Sequence, residues 1–285
     1  MPELPEVERA RRVLERVAVG RTIVRVDVDD DRIVYDGVAP RTFAARLRGR
    51  RVEAARRRGK HLWLELDRRP WPLLHLGMTG HVLSPSVAPL RLASSPAKEE
   101  ERWPPRFTKL RLRLDDGGDV AFTNKRRLGR LRLRDDPPHE PPISALGFDP
   151  LVDPPSAADF LRLVRRRRGV VKALLLDQSF AAGVGNWIAD EVLYRARVDP
   201  RRSADTLSDD EVRRLRRALL EVVRRASAVD ADKRRFPATW LFHRRWGRDA
   251  EARTHDGHRV EFLTLGGRTT AWVPAVQGGP RAEQG

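Results

Sequence analysis

The sequence predicts an α+β multidomain chain: an N-terminal antiparallel β-sandwich flanked by helices, then a C-terminal helical domain ending in a β-hairpin. Three observations carry that expectation. A length of 285 residues suits two domains with a small appendage. Short β-branched and leucine-rich runs dominate residues 22–133, whereas apolar residues recur at helical spacing from 156 onward. A proline-rich stretch, 135–155, separates the two textures.

Val7, Ala10, Val13, Leu14 and Val17 predict a first helix over 5–17, stopped by Gly20. Pro5 suits its first turn, and Glu3 and Glu6 suit its positive end. Strands are expected at 22–28, 61–66, 73–76, 107–114 and 131–133, separated by turns such as Asp116-Gly117-Gly118. Leu and Arg alternate over 110–114 and 131–133, which predicts strands with one solvated face. Residues 84–105, rich in Pro, Ser and Glu, are expected to form an exposed loop. Ser156 with Asp159 and Ser208 with Glu211 resemble capping boxes that open helices. Residues 170–198 hold two apolar helical stretches broken by Gly183-Val184-Gly185-Asn186. From about 235 the texture turns Trp-, Thr- and Gly-rich and suits a β-hairpin. The expected divisions are 1–134, a linker 135–155, 156–234 and 235–285.

The formal charge is +17, most of it arginine, which predicts a polyanionic partner and salt-sensitive binding. The competing reading is a codon bias that favours arginine. There is no cysteine, so disulfides and thiolate metal sites are excluded. No apolar run reaches the roughly 18 residues a membrane span needs. The N-terminus lacks a basic segment followed by an apolar core, so a cytoplasmic chain is expected.

Candidate chemistry begins at the N-terminus. With Met1 removed, Pro2 offers a secondary amine, and an N-terminal amine of pKa about 7.7–8 is partly unprotonated at neutral pH. Such an amine can attack an aldehyde-like carbon and form an iminium. Read alone, the same residues also suit an ordinary helix start. Arg56-Arg57-Arg58-Gly59-Lys60 enters a strand and places Lys60 at the sheet's end, either facing a phosphate or carboxylate or forming a solvated basic turn. Two glycines around Met78, in the run 75–80, imply a tight turn that presents an apolar wedge or a core methionine. Asn124-Lys125-Arg126-Arg127-Leu128-Gly129 is a basic turn with an apolar tip, a second wedge or a hairpin with a buried leucine. Gly183–Asn186 opens a helix whose amides form an anion site, and no parallel strand precedes it as a dinucleotide fingerprint requires.

In order and spacing, the N-terminal run Pro2 to Glu8, the turn His75 to Gly80, the segment Leu146 to Leu151 and the run Gly183 to Asn186 together resemble the formamidopyrimidine-DNA glycosylase family. That family includes the endonuclease VIII branch, and the resemblance covers nearly the whole chain. It implies a bifunctional DNA glycosylase and AP lyase of base excision repair, acting on double-stranded DNA with damaged bases or abasic sites. In that family the mature N-terminal proline attacks C1′, expels the base, forms an iminium and cuts the strand by β and δ eliminations. By carry-over Pro2 is the nucleophile and Glu3 the acid–base group in sugar-ring opening. Glu6 holds the helix and amine, and Lys60 sits by the lesion phosphate with a part in catalysis. Phosphate contacts map onto Lys60, His75, Asn186 and Arg268, with Lys172 a further residue of the DNA face. Met78, Arg126 and Leu128 match the residues that fill the gap left by the everted nucleotide, and eversion is required because C1′ is inaccessible in a stacked duplex. The helices around 183–186 correspond to a helix-two-turn-helix element. No cofactor is implied, and a monomer on the bacterial nucleoid is expected.

The sequence departs from the family pattern in three places. Most members end in a four-cysteine zinc finger, whereas the matching positions here hold Ala252, His255, Val273 and Val276. A metal-free, zincless hairpin is therefore expected, since His255 and His258 alone fall short of the four ligands of a structural site. Residues 124–128 stand where Asp-Pro-Arg-Arg-Phe is usual, so Leu128 weakens stacking opposite the lesion. Residues 230–240 are short for a loop that caps 8-oxoguanine, which leaves ring-opened purines, 8-oxoguanine and oxidised pyrimidines all open as substrates. An endonuclease VIII-like pyrimidine glycosylase stays open for the same reason. A non-catalytic binder of damaged or abasic DNA would have lost Pro2, Glu3 or Lys60, and a ribosome-associated protein would leave the first seven residues unexplained.

Overall fold

The structure is a computed structural model that describes residues 1–87 and 102–278. The expected loop at 84–105 therefore lies mostly outside the described residues. The chain divides into two compact units, one formed by residues 1–145 with 230–233, the other by 146–229 with the chain from 234 onward.

The first unit opens with α1 (Leu4–Ala18), whose N-cap Glu3 forms a capping box with Glu6 and whose first turn carries Pro5. Its apolar stripe, Val7, Ala10, Val13, Leu14 and Val17, is buried as the spacing predicts. There follow β1 (Ile23–Val28), α2 (Pro40–Leu47), β2 (Val52–Arg58), β3 (His61–Leu66), β4 (Trp71–His75), β5 (Gly80–Leu83), β6 (Thr108–Leu114), β7 (Asp119–Asn124) and β8 (Arg130–Arg134). They build two four-stranded sheets, ordered β1-β6-β7-β5 and β2-β3-β4-β8, and every pairing in them is antiparallel. Both sheets and both helices bury side chains in one core, among them Leu14, Phe43, Leu64, Leu74, Leu112 and Phe122. Each such side chain contributes about 1.5–3 kcal/mol of transfer free energy on burial. Leu110, Leu112 and Leu114 point inward while Arg111 and Arg113 stay half-buried, as the alternation predicts.

In the first unit four elements escape the sequence reading, α2, β2, β5 and β7. The case of β2 has an evident cause. Its three arginines read as a turn, yet Arg57 lies inside the strand because Glu8 of α1 pairs with it at 3.0 Å in a buried contact. Periodicity registers a charge as exposed and cannot see a partner 49 residues away.

The second unit holds α3 (Ala157–Arg165), α4 (Val171–Leu176), α5 (Asn186–Ala196), α6 (Asp209–Ala228), β9 (Glu261–Leu265), β10 (Arg268–Trp272) and α7 (Pro274–Gln277). At α6 the capping box is complete: Glu211 N donates to Ser208 Oγ at 3.2 Å, and Ser208 N donates to Glu211 Oε2 at 2.7 Å. At α3 only half of it forms. Asp159 N donates to Ser156 Oγ at 3.1 Å, but the Asp159 carboxylate accepts from the Ser156 hydroxyl at 2.6 Å in place of the N-cap amide. The antiparallel hairpin β9–β10 has its own apolar core of Leu241, Ala252, Val260, Ala271 and Val273. No helix among the described residues is long and apolar enough to cross a membrane.

Candidate active site

The N-terminal residues come together at the start of α1. Met1 is exposed, whereas Pro2, Glu3 and Glu6 are buried. Glu6 Oε2 accepts a hydrogen bond from the Glu3 amide at 3.1 Å, which fixes the entry of the chain into the helix. Burial, then the neighbouring Glu3 carboxylate, pushes Glu6 up to about 8, against hydrogen bonds and the N-terminal charge that favour ionisation. Pro2 and Glu6 line a small pocket with Arg9, Leu76, Gly80 and His81. This puts the N-terminus against the segment that follows Met78. Burial, the N-terminal charge and Arg9 all depress the His81 imidazole, a neighbour of the amine that sequence reasoning missed.

Lys60 is buried in the turn that joins β2 to β3. Arg57 Nη1 donates to the Gly59 carbonyl at 3.2 Å, so the buried Glu8–Arg57 pair on α1 and β2 also holds this turn. Burial works against ionisation of Glu8, but hydrogen bonds from Arg11 and Arg57 override it and keep the carboxyl below its usual range. His61 pairs with His75 across β3 and β4, their ring centroids 4.8 Å apart. Burial first, then the neighbouring positive charges, lowers His61 to about 3 and His75 to about 4. His75 is thus neutral near pH 7, and its Nδ1 accepts from the Gly77 amide at 3.2 Å. That bond fixes the tautomer with the proton on Nε2, a neutral donor suited to a phosphate oxygen.

The two turns read as wedges are tied together. Met78 and Leu128 are 36% and 41% exposed, which rejects the core reading of both. Between them lies the fully buried Asn124. Its Nδ2 donates to the Leu76 carbonyl at 2.9 Å, while its Oδ1 accepts from the amides of Leu128 and Gly129 at 3.0 and 3.2 Å. The Arg126 amide donates to Thr79 Oγ1 at 3.2 Å and its side chain is exposed. Arg127 turns the other way and makes two 2.8 Å bonds to Asp31, holding that carboxyl well below its usual range together with Lys109. Gly77 has φ +61°, and a Cβ there would lie 2.4 Å from the Leu128 backbone, so the turns touch through their main chains.

The remaining expected residues lie on the second unit. Asn186 opens α5 and donates through Nδ2 to the Thr269 carbonyl at 2.7 Å, while its Oδ1 has no partner among the described residues. Arg268 is exposed at the start of β10, after the Gly266-Gly267 turn. Lys172 differs from its expected place on a DNA face: its side chain is fully buried, paired with Asp190, and donates to the Asn186 carbonyl at 3.0 Å. It braces the helix start that carries Asn186. Of the four positions expected to match zinc-finger cysteines, Ala252, Val273 and Val276 pack in the hairpin core and His255 is exposed. The described residues hold no group of three or more His, Cys, Asp or Glu that could hold a metal ion.

Comparison with known proteins agrees along the chain. Residues 1–131 match the formamidopyrimidine-DNA glycosylase N-terminal domain, residues 146–237 its H2TH domain, and residues 240–274 the formamidopyrimidine-DNA glycosylase-like C-terminal domain. A formamidopyrimidine-DNA glycosylase of Arabidopsis thaliana is 43% identical over 277 residues, covering 97% of this chain and 71% of that protein. One from a Nocardioides strain is 39% identical over 297 residues, covering 99% and 96%. The crystal structure of MutM (Fpg) from Thermus thermophilus superposes with a TM-score of 0.75 at 34% identity, covering 98% of this chain and all of that one.

Proposed function

The chain belongs to the formamidopyrimidine-DNA glycosylase family and is a DNA glycosylase of base excision repair, from a family that also carries AP lyase activity, and on that premise we propose that Pro2 is its nucleophile. Removal of the exposed Met1 frees the amine. Its nitrogen attacks C1′ of a damaged nucleotide, the glycosidic bond breaks, and the base leaves with a proton. Glu3 protonates the ring oxygen as the sugar opens, giving an iminium between Pro2 and C1′. Loss of a C2′ proton expels the 3′ phosphate, and a second elimination expels the 5′ phosphate. Water then releases Pro2. Glu6 keeps the helix start in register through the Glu3 amide.

Lys60 and His75, with Asn186 and Arg268 on the second unit, hold phosphates of the damaged strand and set register without reading sequence. Lys172 acts behind Asn186. Met78, Arg126 and Leu128 enter the stack where the damaged nucleotide leaves it. The partner is double-stranded DNA containing damaged bases or abasic sites. Such an enzyme works on the nucleoid DNA of a bacterial cytoplasm, in keeping with the charge of +17. The observation that most supports the reading is the pocket shared by Pro2, Glu6 and the strand that follows the Met78 turn.

Borohydride reduction tests it. The processed protein should be trapped covalently on an oligonucleotide bearing an abasic site, and Pro2→Gly should slow trapping at least tenfold. Wild-type protein that never traps, or trapping unchanged in the variant, would sink the assignment of Pro2.

A further inference from the structure

On the second unit, α6 turns Val212, Leu215, Leu219, Val222 and Val223 into the core and presents arginines elsewhere. Arg213, Arg217 and Arg224, spaced four and seven residues apart, form one stripe along the helix. With Arg216, Leu220 and Arg225 they line a shallow groove, and none of these is a residue assigned above to the lesion strand. The chain's other arginines are widely paired: on the same helix Arg214 meets Asp210, and nearby Arg202 meets Glu211 and Arg165 meets Asp209. Arg216 donates to the Pro155 carbonyl at 2.9 Å. Arg213, Arg217, Arg224 and Arg225 have no carboxylate or hydrogen-bond partner among the described residues. Glu221 also lines the groove, but its carboxylate is paired with Arg195 at 2.6 Å, so four guanidinium groups here face a single carboxylate that is already engaged, and the groove keeps a net positive charge.

We propose that this groove is a second binding surface for the sugar-phosphate backbone of duplex DNA, outside the contacts at the lesion. From Arg213 to Arg224 the stripe rises by eleven residue steps, about 16 Å at ~1.5 Å per residue. Duplex DNA carries a charge about every 1.7 Å of axis, so phosphates of one strand face such a row at a pitch that separate guanidinium forks can meet. A backbone contact of this kind carries no sequence information and adds only affinity and salt dependence. It suits an enzyme that holds long DNA while it searches for rare lesions. The surface rests on DNA being the partner but not on Pro2 as nucleophile.

The test uses full-length processed protein and abasic duplexes of two lengths, about one helical turn (~10 base pairs) and about six turns. Four substitutions to Gln at 213, 217, 224 and 225 keep the helix propensity and remove the charge. Wild type should bind the long duplex much more tightly than the short one. The Gln variant should lose that advantage, its slope of log K against log salt on the long duplex becoming shallower by about 3. Its trapping rate and affinity on the short duplex should stay within about twofold, and Lys at the same four positions should restore most of the slope. A control variant, with Arg32, Arg41, Arg46 and Arg48 changed to Gln, removes the same charge from exposed positions of the first unit. Equal losses in groove and control variants, or an unchanged long-duplex slope in the groove variant, would overturn the proposal. So would an equal loss on the short duplex, because the groove would then belong to the lesion footprint. Failure of Pro2 trapping would leave these binding curves unaffected, which keeps the two proposals separable.

Discussion

The backbone amide of Ala271 in β10 donates to the buried carboxylate of Asp190 in α5 at 3.1 Å. The same carboxylate is paired with Lys172 of α4 and, at 2.7 and 3.1 Å, with Arg245. One side chain thus ties the start of α5, where Asn186 sits, to the hairpin that carries Arg268. A second bond runs in parallel, from Asn186 Nδ2 to the Thr269 carbonyl at 2.7 Å. Two proposed phosphate contacts from distant parts of the sequence are therefore held as one rigid group.

Removing that carboxylate leaves two buried cations and a buried amide without their partner. Asp190→Ala should cost about 3–5 kcal/mol in urea unfolding, the range for breaking a buried ion pair from one side. Asp190→Asn should recover little, because the carboxamide restores an acceptor but not the charge. A loss below about 1 kcal/mol for Ala would mean that Lys172 and Arg245 find other partners.

Asn124 plays the matching part in the first unit, where one carboxamide makes three main-chain bonds between the Met78 turn and the Leu128 turn. Asn124→Ala should cost roughly 2–3 kcal/mol, since it leaves buried main-chain groups unsatisfied. The catalytic effect should be uneven. On the proposed role of Met78 and Leu128, excising a paired base requires both side chains to hold the gap open, whereas a preformed abasic site has no base to evert. Glycosylase activity should fall at least tenfold more than abasic-site cleavage, measured on matched duplexes. Equal losses would count against the wedge role of Met78 and Leu128.

The raised carboxyls set the alkaline limb of stability. Glu6 and Glu191 are both pushed from 4.5 to about 8, in each case chiefly by burial. Between those values the native state holds protons that the unfolded state has lost, so their contribution is complete below pH 4.5 and disappears as pH rises through 8. His61 and His75 act in the opposite sense: lowered from 6.5, they weaken the native state as pH falls from 6.5 towards 4 and 3. Above pH 6.5 the histidines no longer contribute to the slope. Urea midpoints should therefore fall from about pH 6.5 to about 8.5, and Glu191→Gln should flatten that fall. A wild-type midpoint that rises across this window would contradict protonated carboxyls in the core.

The sequence made the termini of elements and the order of motifs legible, because caps, glycine turns and apolar stripes are local signals. The first helix, the Met78 turn and the start of α5 fall where they were expected. What stayed hidden depends on partners far along the chain. Arg57 is a strand residue because of Glu8, and Lys172 is a buried brace because of Asp190. Asn124 reads in sequence as one more polar turn residue, and only its three main-chain bonds place it between the Met78 and Leu128 turns. His61 and His81 had no motif to mark them, and only their neighbours give them a place at the site.

The hairpin should hold without metal. Its core joins Leu241, Ala252, Val260, Ala271 and Val273, with Tyr194, Phe262 and Val276 packed against it. Three of the four positions expected to match the family's cysteines contribute apolar contacts to that core, and the fourth, His255, faces solvent. Burial of these side chains, with the Asp190–Ala271 bond, does the structural work that a zinc ion does in a closed four-ligand site. A chelator such as phenanthroline should therefore leave both the melting midpoint and the trapping rate unchanged. Val273→Ala should cost about 2 kcal/mol through the cavity it leaves. It should also weaken DNA binding more than abasic-site chemistry at saturating DNA, because Arg268 would be mispositioned while Pro2 is untouched. A midpoint that drops on chelation and returns with added zinc would show that the apolar core does not suffice to hold the hairpin.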